Sequence, residues 1–499
     1  MCIYAGGYAP RNAYVGLQLI PRHALRRRRN GMWLARISHI EEKTAAHEMA
    51  NGCGTGSLVG MANLQMSQET REFIRAHAGE DVRELALHTK RDVPGLDLPF
   101  ALDQIAGREI ARTKLPQWAA CEGIVYPPHL AMEQCSSQFT AEYKAQVAAQ
   151  LVEEESEPTL VDLTGGFGVD CSYIARGFSR AVYVERQPHL CELAAHNFRA
   201  LGLPHMDVIN GDAEDWLRGV VDSRAASADS AAVDSATAVP IALIYLDPAR
   251  RDAHGGRTYA IADCTPDVLA LKDRLLAVSP HVMVKLSPML DWRKTVADFN
   301  GSVGEVHIVS TGNECKELLL VLDRGSHDAV RVICVNDGDV FGYVHDMKTG
   351  ADSDGVVLAA AGEKGSQGGS AEPPHAAPEQ PRYLYEPNAS LMKGGCFALL
   401  EDHYGMRQIG PNSHLLISGT PAPQFPGRGF VIETIAGMGK KELKRALAGV
   451  DRANIAVRNF PLTAVQLRRK LKLADGGDVY LFGTTSVDGR HVIVRTVKQ

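Results

Sequence analysis

Between Leu160 and Leu286 short apolar runs alternate with stretches of helical periodicity, and that alternation narrows the possible folds more than any other feature. The runs are Leu160–Thr164, Ala181–Glu185, Asp207–Ile209, Ile241–Leu246 and His281–Leu286. Strands separated by helices build a parallel sheet, because each connection returns across a face of the sheet and does so right-handedly. Two further runs, Glu305–Val309 and Glu317–Leu322, are joined by a short turn containing Gly312-Asn313. That link is too short for a helical crossover, so the last pair must be antiparallel. Five parallel strands closed by a hairpin differ from a nicotinamide-binding Rossmann domain, which ends on a sixth parallel strand.

At 499 residues the chain exceeds one ordinary core, and at about 100 to 200 residues per domain it divides into roughly three units. A hydrophobic content of 45% with 22% charged residues describes an ordinary globular protein. No apolar run approaches the roughly 20 residues that span a bilayer. The ten cysteines are scattered, without a CxxC pair or a zinc-type spacing, which reads as reduced thiols in a cytoplasm and no metal. Residues 1–65, with the run Arg26–Arg29, are expected as a disordered extension. Ser67 followed by Gln68-Glu69 is a helix start, and residues 66–155 read as a helical N-terminal domain with amphipathic stretches at Thr70–His77 and Ala141–Leu151. The alternating block fills 156–325. Asp222–Val239, rich in Ala, Ser and Asp, and Thr349–Pro381, rich in Gly, Ser, Pro and Ala, read as flexible insertions. A strand-rich region follows and ends in a hairpin, Val479–Phe482 and Val492–Val494 about Asp488-Gly489.

A cofactor at the mouth of a parallel sheet requires close approach of the backbone, which glycine allows without a Cβ clash. The string Val161-Asp162-Leu163-Thr164-Gly165-Gly166-Phe167-Gly168 follows one apolar run and precedes a helical stretch. It resembles the methyltransferase motif D-x-G-x-G-x-G, with Thr164 where the first glycine usually stands. Alone, such a loop is equally a tight strand-to-helix turn. Glu185 ends the next strand seventeen residues past Gly168, where a carboxylate accepts both ribose hydroxyls; by itself it is a solvated strand end. Asp212 follows the third strand, where this fold bonds the adenine amino group; its plain reading is a helix N-cap. Their joint spacing points to S-adenosylmethionine. Asp162, Thr164, Gly165, Gly166, Phe167, Gly168, Glu185, Asp212 and Asp247 are the expected binding residues.

Asp247 opens Asp247-Pro248-Ala249-Arg250 at the end of the fourth strand, where class I methyltransferases place substrate. Amino methyltransferases carry D/N-P-P-aromatic there: the acid and a proline-fixed carbonyl grip the amino hydrogens, and the ring stacks on the base. Asp247 and Pro248 match, whereas Ala249 and Arg250 remove the stacking ring. Uracil-C5 methyltransferases carry Asp-Pro-Pro-Arg but need a nucleophilic cysteine after the fifth strand, and this chain has Lys285-Leu286-Ser287-Pro288. Direct transfer without a covalent adduct or a metal is therefore expected, with Asp247, Pro248 and Arg250 as the catalytic set. Arg251, His254, Arg257 and Tyr259 crowd the same segment, suited to a phosphate or to a structural pair with Asp252. Lys285 is placed to neutralise Asp247 or to touch substrate. Upstream, Ser136, Ser137, Thr140 and Lys144 stand where such enzymes cover the cofactor's methionine end, or simply cap a helix.

The net charge of -6 hides a basic block. Between Met438 and Leu473, Lys440, Lys441, Lys444, Arg445, Arg452, Arg458, Arg468, Arg469, Lys470 and Lys472 face only Glu442 and Asp451 as acids. That is a phosphate-binding footprint or a solvated face. The strings DLTGGFGVD, YLDPARRDAHGGRTYAIADCTPD, VMVKLSPMLDW, TGNECKELLLVL and RKLKLADGGDVYLFGT are similar to those of a group of bacterial methyltransferases, best known from Bacteroidota, that end in a THUMP-like domain. The likeness runs from about Met66 to the end. It implies an α/β chain: a Rossmann-like class I methyltransferase sheet with a helical N-terminal domain and α+β C-terminal domains. It also implies a ferredoxin-like region at 326–400 and a THUMP-like domain at 401–499. THUMP domains bind RNA, commonly tRNA. The expected activity is cytoplasmic, S-adenosylmethionine-dependent methylation of a base nitrogen of tRNA or rRNA, with no membrane partner. The alternatives are a protein or small-molecule methyltransferase, and an RNA-binding or ribosome-assembly factor whose methyltransferase domain is inactive.

Overall fold

The structure, a computed structural model, describes residues 57–58, 66–90, 93–228, 240–250, 261–358 and 381–499. They form two compact units, one holding 57–58, 66–304 and 319–327, the other 305–318 and 328–499. Among the described residues no helix is long and apolar enough to cross a membrane.

The first unit begins with β1 (Ser57–Leu58), which lies antiparallel against Asn210 and Ile209. It falls in the stretch expected as a disordered extension, the rest of which lies outside the described residues. Six helices follow: α1 (Gln68–Ala76), α2 (Val82–His88), α3 (Leu98–Lys114), α4 (Pro116–Ala120), α5 (His129–Gln134) and α6 (Gln138–Leu151). Ser67 caps α1 as its sequence suggests, its side chain accepting the Thr70 N–H that the first turn leaves unpaired. Ser137 does the same for α6. The helices share one apolar cluster with the sheet that follows. Trp118 is fully buried, and its ring meets Phe167 edge-on at 5.0 Å, with Met132, Tyr173 and Leu193 in the same cluster. Each such side chain contributes about 1.5–3 kcal/mol by leaving water, so helices and sheet stand or fall as one core.

The sheet block runs β2 (Thr159–Asp162), α7 (Val169–Ile174), β3 (Arg180–Glu185), α8 (Pro188–Ala200), β4 (Met206–Asn210), α9 (Ala213–Ala228), β5 (Ile241–Leu246), β6 (Ala249–Arg250), β7 (Cys264–Thr265), α10 (Val268–Val278), β8 (His281–Leu286) and α11 (Trp292–Asp298). Strands β4, β3, β2, β5 and β8 lie side by side in that order, all parallel. All four residues of β2 and all six of β5 are buried, which is why these strands read as unbroken apolar runs. The order of connection reverses between β2 and β5, and such a reversal opens a crevice at the carboxyl ends of the two strands. The stretch expected as an insertion from Asp222 begins as helix, because α9 continues to Ala228. Its alanines favour helix whatever the low complexity of the segment; residues 229–239 lie outside the described residues.

The division between units passes through the closing hairpin, β9 (Val303–Thr311) and β10 (Glu314–Asp323). Its turn residues Gly312 and Asn313 are both left-handed, φ 58° and 62°, as a two-residue type I′ link requires. In the second unit β11 (Ala329–Asn336) pairs parallel with β9, and β12 (Asp339–Asp346) and β13 (Asp352–Leu358) follow antiparallel. Arg331 falls opposite Glu305 in this register and bonds it at 2.5 Å. Thus the expected insertion from Thr349 carries a strand before 359–380, which lie outside the described residues. The remainder comprises β14 (Tyr383–Pro387), α12 (Ala389–Gly394), α13 (Phe397–Tyr404), β15 (Arg407–Gln408), β16 (Leu416–Ser418), β17 (Gly427–Gly437), α14 (Lys440–Ala446), β18 (Arg452–Arg458), α15 (Ala464–Leu471), β19 (Ala474–Thr485) and β20 (His491–Lys498). They form a seven-stranded sheet in the order β15-β16-β14-β17-β20-β19-β18. The expected terminal hairpin is β19–β20, while β18 and β19 are parallel with α15 as their crossover.

Candidate active site

The loop after β2 is stitched between two neighbouring strands: Leu163 N–H donates to Tyr245 O at 3.1 Å and Gly165 N–H to Val184 O at 3.0 Å. A Cβ on Gly165 would lie 2.2 Å from the Tyr183 ring, so packing requires glycine there. Gly166 differs. It is left-handed, φ 54°, and a Cβ on it would meet only Thr164 O, at 3.8 Å. That face of the loop is open to an approaching ligand.

Glu185, at the end of β3, is buried and braces the same loop. Its Oε2 accepts the Gly166 N–H and its Oε1 the Gln187 N–H, each at 2.9 Å. Each oxygen keeps a further lone pair. The Glu185 carbonyl accepts Gly211 N–H at 3.0 Å and Asn210 Nδ2 at 2.9 Å, which brings the segment carrying Asp212 alongside. Asp212 itself is exposed and accepts the N–H groups of Glu214 and Asp215, so it caps α9. Phe167 offers a ligand only its backbone, since its ring is committed to Trp118. Asp162 is buried beneath the loop and accepts Thr164 N–H at 2.9 Å. Burial, reinforced by the nearby Asp170 and Asp247, pushes its carboxyl up to about 7. Burial and the neighbouring Asp162 also push the Cys171 thiol well up, so no thiolate nucleophile forms there.

Thr164 explains its own departure from the glycine motif. Its hydroxyl accepts the Asp247 N–H at 2.6 Å, a tie that glycine cannot make. Pro248 is buried, whereas the Asp247 side chain is 40% exposed, open enough to meet an acceptor. Lys285 Nζ donates to Asp247 Oδ2 at 2.6 Å. Arg250 is described through its backbone, which pairs antiparallel with Cys264; Arg251, His254, Arg257 and Tyr259 lie outside the described residues.

Behind Lys285 stands a carboxylate that sequence reasoning passed over. Asp170 lies 3.6 Å from Lys285 and 3.2 Å from Lys144, and it accepts from Ser136 at 2.9 Å and Tyr245 at 2.7 Å. Burial works to raise its carboxyl, but Lys144 and Lys285 prevail and hold it below the usual range. Ser136 and Lys144 therefore turn inward to Asp170 rather than outward to a cofactor, and Ser137 caps α6. The signal was present: Asp170 follows Gly168 in a helix whose six residues are all buried, and a buried carboxylate needs a cation.

In the second unit Lys440, Lys441, Lys444 and Arg445 on α14, with Arg469, Lys470 and Lys472 on or just after α15, are exposed. None of the seven forms an ion pair among the described residues. Glu442, the acid within α14, accepts Gly437 N–H at 2.7 Å and Arg468 is paired with Asp475. Arg458 is paired with the buried Glu386 at 2.6 Å.

A parallel sheet in this order, with a glycine loop after its first strand, an acid ending the second and an acid-proline pair ending the fourth, defines the class I S-adenosylmethionine-dependent methyltransferases, and the protein is an enzyme of that class. Family models match the C-terminal part: a ferredoxin-like domain over residues 383–426 and a THUMP domain-like module over 427–497. Among solved structures, a candidate methyltransferase from Porphyromonas gingivalis W83 is 30% identical, with a TM-score of 0.68, covering 86% of this chain and 97% of that one. The chain belongs to that family, bacterial methyltransferases that end in a THUMP-like domain. Further matches include an O-methyltransferase from Bacillus cereus in complex with S-adenosylhomocysteine, 13% identical with a TM-score of 0.29, covering 50% of this chain and 100% of that one. A candidate RNA methyltransferase from Pyrococcus horikoshii is 12% identical, with a TM-score of 0.27, covering 43% and 97%. Likenesses that distant carry no argument about activity. No curated protein matches the sequence.

Proposed function

We propose that the protein transfers a methyl group from S-adenosylmethionine to a base nitrogen of RNA by direct in-line displacement. The observation that carries this reading is the setting of Asp247. Its backbone is tied to the glycine loop through Thr164, one carboxylate oxygen is held by Lys285, and the side chain remains open to solvent.

The open face of Gly166 and the remaining lone pairs of Glu185 suit the cofactor's close approach and its ribose hydroxyls, and Asp212 stands beyond β4 for the adenine amino group. S-adenosylmethionine, when bound, supplies an electrophilic methyl on a sulfonium sulfur. Asp247 accepts a hydrogen from the acceptor amino group through Oδ1 and so fixes the direction of the nitrogen lone pair. Pro248 stiffens the backbone that presents a second acceptor, its carbonyl, and Arg250 provides positive charge for a substrate phosphate. Such alignment lowers a barrier by up to about 7–11 kcal/mol. After transfer the nitrogen sheds the proton whose hydrogen bond Asp247 accepts. RNA as the acceptor rests on the exposed basic residues of α14 and α15 and on the THUMP-like module.

Asp247→Ala should lower methyl transfer to RNA by at least about a hundredfold, as for loss of a positioned proton acceptor, while S-adenosylmethionine still binds by calorimetry through the glycine loop, Glu185 and Asp212. Unchanged turnover would remove Asp247 from the reaction.

A further inference from the structure

We infer that Asp170 is a positioning residue for Asp247, acting through Lys285. This rests on the reading of Asp247 as the group that binds the acceptor nitrogen.

Four charges alternate in a chain from the helical layer to the mouth of the sheet. Lys144 on α6 is fully buried and lies 3.2 Å from Asp170 on α7; Asp170 is 3.6 Å from Lys285 on β8; Lys285 is 2.6 Å from Asp247 after β5. The charges of the four sum to zero. A lysine is a flexible point charge on a four-carbon stem and makes a poor anchor unless something fixes it. Here the fixed end is Asp170. Its carboxylate is gripped by three groups: Lys144 on α6, the Ser136 hydroxyl just before α6 at 2.9 Å, and the Tyr245 hydroxyl on β5 at 2.7 Å.

Among the described residues Asp247 has no comparable grip of its own. Its side chain is 40% exposed, and the bond described for its carboxylate is the one from Lys285. The Lys285 side chain is only 14% exposed, and its ammonium stands between the two carboxylates. Asp170 thus performs two tasks. It sets where the ammonium stands, and hence where the Asp247 carboxylate stands. It also shares the positive charge, so Asp247 is neutralised incompletely and stays a strong hydrogen-bond acceptor.

Removing the Asp170 charge alone would strand Lys144, which is buried, and a loss of activity could then reflect folding. The informative variant is the double substitution D170N with K144M, which removes one buried charge of each sign and leaves Lys285 facing Asp247. Wild type and the double variant are compared in three measurements: S-adenosylmethionine affinity by calorimetry, the pH dependence of tritiated-methyl transfer to total RNA from a strain lacking the gene, and a crystal structure. The expected result is cofactor affinity within twofold of wild type, kcat lower by tenfold or more with KM little changed, a shifted acidic limb of the pH profile, and an Asp247 carboxylate displaced or in several positions. Wild-type kcat, or an Asp247–Lys285 pair unmoved in the crystal, overturns the positioning role. If wild type labels no RNA, the RNA reading fails, and the crystal structure still decides the role of Asp170.

Discussion

Thr164 joins the two halves of the site through one hydroxyl. Thr164→Val keeps the shape but leaves the Asp247 N–H without its acceptor, at a cost of about 1–3 kcal/mol for an unsatisfied polar group. Methyl transfer should fall in kcat more than the protein falls in stability, measured by steady-state kinetics beside urea unfolding; equal activity would mean that the tie is idle. Asp162 makes a pH prediction. Its folded-state carboxyl is raised to about 7 against an ordinary value of 3.8, chiefly by burial. As pH rises from about 4 the unfolded chain ionises first while the folded chain holds its proton. Stability from this group is therefore whole below pH 4 and is lost by pH 7. Asp162→Asn can still accept the Thr164 N–H and does not titrate. Its urea midpoint relative to wild type should rise between pH 5 and pH 8; a constant difference would contradict the assignment. At this scale Glu185, Asp212 and Asp247 were legible because each ends a strand or starts a helix at a fixed interval from the glycine loop. Asp170 was not, because its partners come from α6, β5 and β8, which only the fold brings together.

Elements were read from periodicity, and the reading was best where one force dominates. Strands β5 and β8 appear at the bounds drawn from sequence: β5 is apolar and buried throughout, and β8 carries a buried apolar stretch, Val282–Val284, between His281 and Lys285. It was weakest where composition and propensity disagree: α9 persists through Asp222–Ala228, and β13 forms within a Gly- and Asp-rich stretch by pairing with β12. The crossover α15 was hidden by its charge, since a short basic helix between strands has little apolar signature. It is held by a capping box, in which Thr463 accepts the Gln466 N–H and Gln466 returns a bond to the Thr463 N–H. Thr463→Ala should cost about 1 kcal/mol, seen as faster amide exchange confined to α15. Protection unchanged there would show that packing of the buried Leu467, not the cap, sets the start of the helix.

Across the whole molecule a net charge of -6 coexists with a basic surface, so electrostatics can favour RNA at one face while the chain as a whole is acidic. Every basic side chain withdrawn from an RNA phosphate should lower the slope of log affinity against log salt by about 0.7 for single strands to about 0.9 for duplex. Arg469→Gln with Lys470→Gln should therefore reduce that slope by about 1.5, with methylation of a saturating RNA left near wild type; a slope that does not move would place the RNA elsewhere. The central claim is that this chain methylates a base nitrogen of RNA. It is tested most directly by digesting RNA from wild-type and deletion strains and comparing methylated nucleosides by mass spectrometry. One N-methylated base should disappear on deletion and return with the wild-type gene but not with Asp247→Ala. An identical nucleoside profile in the two strains would contradict the account.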